Sequence, residues 1–280
     1  MANRSTLHQR STRKSLSRAF RALRARMGRR GGAMLAAVML GMAGLGNAAA
    51  LPEQFTAHYE VSHRGLTLGE ATVEYQQFDG NRYRYDSVSR TVGLAKLFYN
   101  ATIRERSEGV ITEEGFKPER YTYKRTGKDP RQALLVFDWG AGRVINDVAG
   151  SAWRMAVPTD AMDRMVSQLQ LMHDLAARQF KDLVYTIADG GELKTYQLEI
   201  VGGEDIQTPY GTFETLKINE LRDDNKRATV FWVAPELDYL AVRIEHRDRD
   251  DRFFMNLKEL KGFERTAAAG EKSKLDVGQL

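Results

Sequence analysis

The chain has 280 residues and no cysteine, which excludes disulfides, thiol nucleophiles and iron–sulfur ligation at once. Its 42 basic and 37 acidic residues give a formal net charge of +5, but ten of the basic ones and none of the acidic ones lie in the first fifty positions. Residues 51–280 therefore carry 32 basic against 37 acidic side chains, a net −5, and nucleic acid is set aside as a partner.

Those first fifty residues read as an address. Basic side chains from Arg4 to Arg30 precede the apolar run Ala33 to Leu40, which thins through Gly41, Gly44 and Gly46 into Asn47-Ala48-Ala49-Ala50. A basic stretch, a short apolar stretch and an A-x-A exit make a secretory signal peptide. Cleavage after Ala50 is expected to leave a periplasmic protein that starts at Leu51 and contains no transmembrane segment. The rival, an uncleaved anchor, would need about 20 apolar residues, and this run is shorter and interrupted by glycine. Without cysteine there is no lipidation site either.

From Leu51 onward the main signal is alternation with period two, which places successive side chains on opposite faces of a sheet. Phe55, Ala57, Tyr59 and Val61 alternate with polar neighbours, and Ala71, Val73 and Tyr75 follow the Arg64-Gly65 turn. Asp79-Gly80-Asn81 predicts a hairpin into Tyr83 and Tyr85. A short helix or loop is expected over Gly93 to Tyr99. Further on, Leu183, Tyr185 and Ile187 lead through Asp189-Gly190-Gly191 to Tyr196, Leu198 and Ile200, and Thr208-Pro209-Tyr210-Gly211 is another turn. Val230 and Trp232, then Leu240, Val242 and Ile244, then Phe253, Met255 and Leu257 mark the last strands.

One segment breaks the alternation. Between Asp160 and Arg178 there is no Gly or Pro, and Met162, Met165, Val166, Leu169, Met172 and Ala176 recur at three and four. This spacing predicts an amphipathic helix over 160–178 with Thr159 or Asp160 as N-cap. The expected fold is mainly all-β: a large curved antiparallel sheet of about a dozen strands, barrel-like or spiral, with one long amphipathic helix against it. It should span residues 51–265 as one domain, followed by a disordered tail over 266–280. An outer-membrane barrel is the rival architecture, but Arg104 and Arg106 share one strand face while Glu105 occupies the other.

The residues offer little chemistry. His58, His63, His173 and His246 are scattered, and the odd spacing of the first two puts them on opposite faces of a strand. There is no metal-ligand spacing, no phosphate loop and no nucleophile turn of the G-x-S-x-G kind; Gly150-Ser151-Ala152-Trp153 is the nearest approach. Asp223-Asp224 and Asp248 with Asp250-Asp251 read as solvated hairpin tips. No catalytic residue, metal or cofactor is therefore expected. A methionine-rich helix over a curved sheet does suit a non-enzymatic binding or envelope-maintenance protein that holds an apolar, lipid-like or polymer ligand, and Phe98, Tyr99, Met165, Leu169 and Trp232 are the candidate lining. Tyr83, Tyr85, Tyr121 and Tyr123, set among Arg82, Arg84, Arg120, Lys124 and Arg125, offer a seat for a glycan, an anionic group or an envelope protein. A carboxylate-driven hydrolase is a third reading.

The C-terminal third carries a family likeness. Thr208 to Lys217, then Phe231-Trp232-Val233-Ala234-Pro235 and Leu240 to Ile244, resemble the domain of unknown function 3108 family. Tyr59-Glu60-Val61, Gly69-Glu70-Ala71, the Gly115-Phe116-Lys117-Pro118 turn and the segment from Asp163 to Leu175 fit the same pattern. Ala241 departs from it where the family often has proline. The resemblance implies an exported bacterial protein with a curved or spiral β-barrel, reminiscent of lipoprotein carriers. It supplies no catalytic residues, and fold alone does not assign function.

Overall fold

The computed structural model describes residues 51–148, 150–189, 191–221 and 227–263. The expected signal peptide over 1–50, the expected tail over 266–280 and the Asp223-Asp224 pair lie outside these residues. Eight strands follow one another as an antiparallel meander: β1 (Gln54–His63), β2 (Leu66–Phe78), β3 (Arg82–Thr91), β4 (Ala101–Thr112), β5 (Gly115–Gly127), β6 (Arg131–Asp138), β7 (Arg143–Val148) and β8 (Ser151–Ala156). The short β9 (Met162–Asp163) pairs in parallel with β10 (Leu183–Asp189). A second meander then runs through β11 (Glu192–Gln207), β12 (Thr212–Leu221), β13 (Arg227–Ala234), β14 (Leu240–Asp248) and β15 (Asp251–Lys261). β15 returns to pair with β1, so all fifteen strands form one sheet whose free edges are β8 and β9.

A sheet this wide curls to hide its inner face. Register shows which side is inner. Phe55, Tyr75, Tyr85, Ser107, Tyr121, Leu135, Asn146 and Trp153 stand opposite one another across β1 to β8. All of this row except Trp153 is buried. Its rings meet directly: Phe55 stacks on Tyr75 with centroids 5.5 Å apart and lies 6.4 Å from Tyr85, and beside the row Phe116 meets Tyr83 edge-on at 5.1 Å. The two ends of the sheet also approach each other, since a Cβ at Gly191 would run into the ring of Trp153 on β8.

The helix α2 (Val166–Ala176) fills the concave side, packing on β5, β9 and β10. Val166, Leu169, Leu171, Met172 and Leu175 are buried, and so are the polar Gln170 and Asp174. Buried polar groups need partners, and both have them. Gln170 Oε1 accepts the Phe116 N–H (2.8 Å), while Gln170 Nε2 donates to Asp174 Oδ1 (2.8 Å). Asp174 Oδ2 accepts the Tyr185 hydroxyl at 2.9 Å.

Three expectations need correction. The helix occupies 166–176 instead of 160–178, so Met162 lies in a strand and Met165 just ahead of the helix. The cause is Asp163: its Oδ1 accepts the N–H groups of Met165 and Val166, which starts the helix there and leaves Thr159 and Asp160 in a turn. Gly115 to Pro118 is the first part of β5 and not a turn; the chain reverses at Glu113-Glu114. Pro118 is tolerated there because β5 bulges beside it, with Glu119 as the extra residue opposite the Glu108–Gly109 step of β4. The strands number fifteen among the described residues, more than the dozen expected, because β9 and the short pairs near 131–156 carry weak alternation.

Asn146 is the anomaly of the inner face. It is fully buried, and neither its Oδ1 nor its Nδ2 has a protein hydrogen-bond partner among the described residues. An unpaired buried amide costs about 1–3 kcal/mol, and an apolar side chain of similar shape avoids that cost. Asn146→Leu is therefore expected to raise stability by about 1–2 kcal/mol, read as a thermal midpoint several degrees higher. A lower midpoint would mean that the amide is satisfied in solution.

Candidate functional site

The five expected lining residues fall in three places. Leu169 and Met165 are core, with Leu169 fully enclosed and Met165 4% exposed. Trp232 is also buried, but it stands in register with Lys217 and Arg243, on the face opposite Ile218, Phe231 and Ile244. There its ring is covered by Lys217 Nζ at 5.2 Å and Arg243 at 6.0 Å, and its indole N–H donates to Glu204. Phe98 and Tyr99 lie on the link between β3 and β4. The structure brings Met165 and Leu169 into one core, Phe98 and Tyr99 onto one knuckle, and Trp232 between Lys217 and Arg243 on the other face of the sheet.

Beside Met165 lies a polar latch that fastens the helix to the sheet. Ser107 donates to Asp163 Oδ2 at 2.6 Å and lies 3.0 Å from the Tyr83 hydroxyl. Arg164 grips Glu105 with two bonds, Nε to Oε1 at 2.8 Å and Nη2 to Oε2 at 2.9 Å, and Tyr121 donates to the same Oε1 at 2.6 Å. Burial pushes the Asp163 carboxyl up to about 6, against the pull of the Ser107 and main-chain hydrogen bonds. The oxygens of both carboxyl groups are engaged in holding the helix, and Asp163 has no exposed surface. Sequence reading missed this cluster because its members are 56 to 59 residues apart and carry no local pattern.

The knuckle is different. Its single helical turn, α1 (Ala95–Phe98), is too short to persist alone and is held by its base. Val92 N–H donates to Leu68 O (2.9 Å) and Lys128 N–H to Asn100 O (2.8 Å). Gly127, at φ +88°, permits that second approach: a Cβ there would collide with the Asn100 carbonyl. Leu94, Leu97 and Phe98, at i, i+3 and i+4, share one face of the turn and are 79%, 77% and 81% exposed. Phe98 was singled out in the sequence, as a lining residue and not as an exposed one. The two leucines were overlooked, although their helical spacing in a link between two strands was the available signal.

Positive charge surrounds this turn. Lys96 lies on it, Lys128 Nζ sits 5.3 Å from the Tyr99 ring centre, and Arg125 Nη1 donates to the Tyr99 hydroxyl at 3.4 Å. Arg131 pairs with Arg125 across β5 and β6. No acidic residue occurs between Asp86 and Glu105, and Asp129 alone carries negative charge in the turn from Lys128 to Pro130.

Several charges on the strand faces are paired. Arg82 meets Glu119 at 2.6 Å, Arg84 meets Glu108 at 3.0 Å and Arg106 meets Asp86 at 2.6 Å, while Tyr83, Tyr85 and Tyr121 point into the core. Of the expected tyrosine–arginine seat, Tyr83, Tyr85 and Tyr121 thus lie on the face opposite Arg82, Arg84 and Arg120, while Tyr123 and Arg125 share one face of β5. A surface cleft of about 310 Å³ beside β1 and β2 is lined by His58, Glu70, Arg90 and Lys258, of which Arg90 and Glu70 are paired at 3.0 Å. Among the described residues no group of three His, Asp or Glu side chains is placed to hold a metal, and no helix is long and apolar enough to cross a membrane.

Comparison with known proteins places the fold. A β-barrel-like protein of the DUF1849 domain of unknown function from Brucella abortus superposes with a TM-score of 0.51 at 9% identity, covering 76% of this chain and 98% of its own. A candidate lipoprotein from Parabacteroides distasonis matches at TM-score 0.35 and 10% identity, over 75% of this chain and 97% of that one. A candidate exported protein with a YmcC-like fold from Bacteroides fragilis gives 0.35 and 10%, over 75% and 98%. No curated protein matches the sequence. Residues 54–258, nearly the whole of the fifteen-stranded sheet, match the family described as Protein of unknown function (DUF3108), and the chain belongs to that family.

Proposed function

We propose that this is an exported, non-enzymatic binding protein of the cell envelope, which holds an apolar partner at the β3–β4 knuckle and not inside the sheet. The leader ending at Ala50 supports export, with a periplasmic product that starts at Leu51. One observation carries the binding role: Leu94, Leu97 and Phe98 present one apolar face to water, in a fold that elsewhere turns its largest aromatic rows inward. Contiguous apolar surface of this kind marks an interaction site. The interior supports the same reading from the other side, because Met165 and Leu169 are committed to core packing and the Asp163 and Glu105 carboxyl groups to the latch.

The test is photo-crosslinking in intact cells with a benzophenone amino acid at position 98, and at Arg154 on edge strand β8 as the control. An adduct specific to position 98, on a protein whose mass begins at Leu51, is the expected result. Equal labelling at both positions, or none at position 98, would sink the docking role. A mass that retains Met34 to Ala50 would sink the processing.

A further inference from the structure

Building on the knuckle as the docking site, we infer that its partner is the anionic surface of a lipid bilayer. The three apolar side chains are among the most exposed of the large hydrophobics, and a protruding turn with Leu, Leu and Phe on one side can sink into the boundary between headgroups and acyl chains. Lys96, Arg125, Lys128 and Arg131 form a basic collar at its base, where Asp129 is the acidic residue of the β5–β6 turn; the acidic β14–β15 tip at the same end lies on the far side of the β1–β2 hairpin, with Asp251 paired to Arg64 and Asp248 to Arg227. Basic side chains beside an inserted apolar turn sit at headgroup level, where anionic lipid attracts them.

Topology adds to the fit. The meander brings the β1–β2, β3–β4 and β5–β6 connections to the same end of the sheet. Leu66, at the first of these, is 68% exposed, so that end presents a second apolar point beside the knuckle. The opposite end carries the β4–β5 turn, where Gln170 ties the helix to Glu114 and Phe116. The protein would therefore stand on the membrane by one end, with the strands rising from it.

Flotation with vesicles tests this, using protein purified after expression of the full chain. Vesicles of phosphatidylcholine containing phosphatidylglycerol are expected to carry the protein, and vesicles of phosphatidylcholine alone to carry much less. Leu97→Glu and Phe98→Glu should each weaken binding by at least about tenfold, the effect of forfeiting one buried apolar side chain. Lys96→Glu with Lys128→Glu should weaken it on anionic vesicles only. Phe78→Glu, at an exposed aromatic on the other end, should bind as the parent does. These side chains lie outside the core, so thermal midpoints should stay unchanged and separate lost docking from lost folding.

Binding that ignores lipid charge, or that survives Phe98→Glu, overturns the inference. Failure to float, with a protein adduct still formed at position 98 in cells, overturns the lipid partner and leaves the docking role standing. Failure of both overturns the two together.

Discussion

Arg164→Met is expected to lower the free energy of unfolding by about 3 kcal/mol, the largest loss anticipated for any single change in the latch. Removing the guanidinium deletes two charge-assisted bonds and leaves the Glu105 carboxylate, 9% exposed at its side chain, with Tyr121 as its remaining donor. Breaking a buried pair this way costs about 3–5 kcal/mol, and the lower end applies because the Arg164 side chain is 42% exposed and partly solvated. Loss of its contact with the Tyr123 ring, 5.7 Å away, acts in the same direction. Urea unfolding followed by circular dichroism measures the change.

The double variant Glu105→Gln with Arg164→Met discriminates the cause. A neutral amide still accepts from Tyr121 and no longer needs a cation, so the double variant should recover most of what Arg164→Met loses. If the two changes simply add, the cost of Arg164→Met is lost packing and not an orphaned charge. If Arg164→Met costs less than about 1 kcal/mol, the pair behaves as a surface ion pair.

How much of this was legible in the sequence depended on the range of the interaction. Alternation at Phe55, Ala57 and Tyr59 located β1, and Asp79-Gly80-Asn81 placed the β2–β3 turn, because both signals lie within a few residues. The helical period located α2 but not its start. Met162 and Met165 continue the apolar spacing, yet Asp163 caps the helix behind them, and the pairing of β9 with Ile187 and Ala188 claims Met162 for the sheet. That contest between a local pattern and a tertiary partner is decided only in the folded chain. The surroundings of Trp232 were not legible for a related reason. Its burial comes from Lys217 and Arg243 lying over its ring on strands β12 and β14, and aromatic content alone does not say which face of a sheet a ring occupies. The knuckle was half legible: Phe98 stood out as an aromatic, whereas the exposure of Leu94 and Leu97 depends on the base that lifts the turn away from the sheet.

Asp163 should make stability depend on pH with a sign opposite to that of an ion-paired carboxylate. Its carboxyl is held at about 6 by burial, against an ordinary value of 3.8. Between those values the folded chain binds more protons at this site than the unfolded chain does, so unfolding becomes easier as pH rises. The contribution is fully present below about pH 4 and is gone above about pH 6, and a shift of roughly two units corresponds to about 3 kcal/mol. Asp163→Asn removes the titration while keeping the geometry. Its amide oxygen can still accept the Met165 and Val166 N–H groups, as asparagine does at helix starts. Its amide nitrogen can donate to Ser107 Oγ, whose own proton then turns to the Tyr83 hydroxyl oxygen 3.0 Å away. The variant should therefore match the parent near pH 4 and exceed it by up to about 3 kcal/mol above about pH 7. Urea unfolding of both proteins across that range gives the difference directly, and charges elsewhere cancel in the comparison. A difference that stays flat with pH would mean that Asp163 is ionised throughout, and that its hydrogen bonds outweigh its burial.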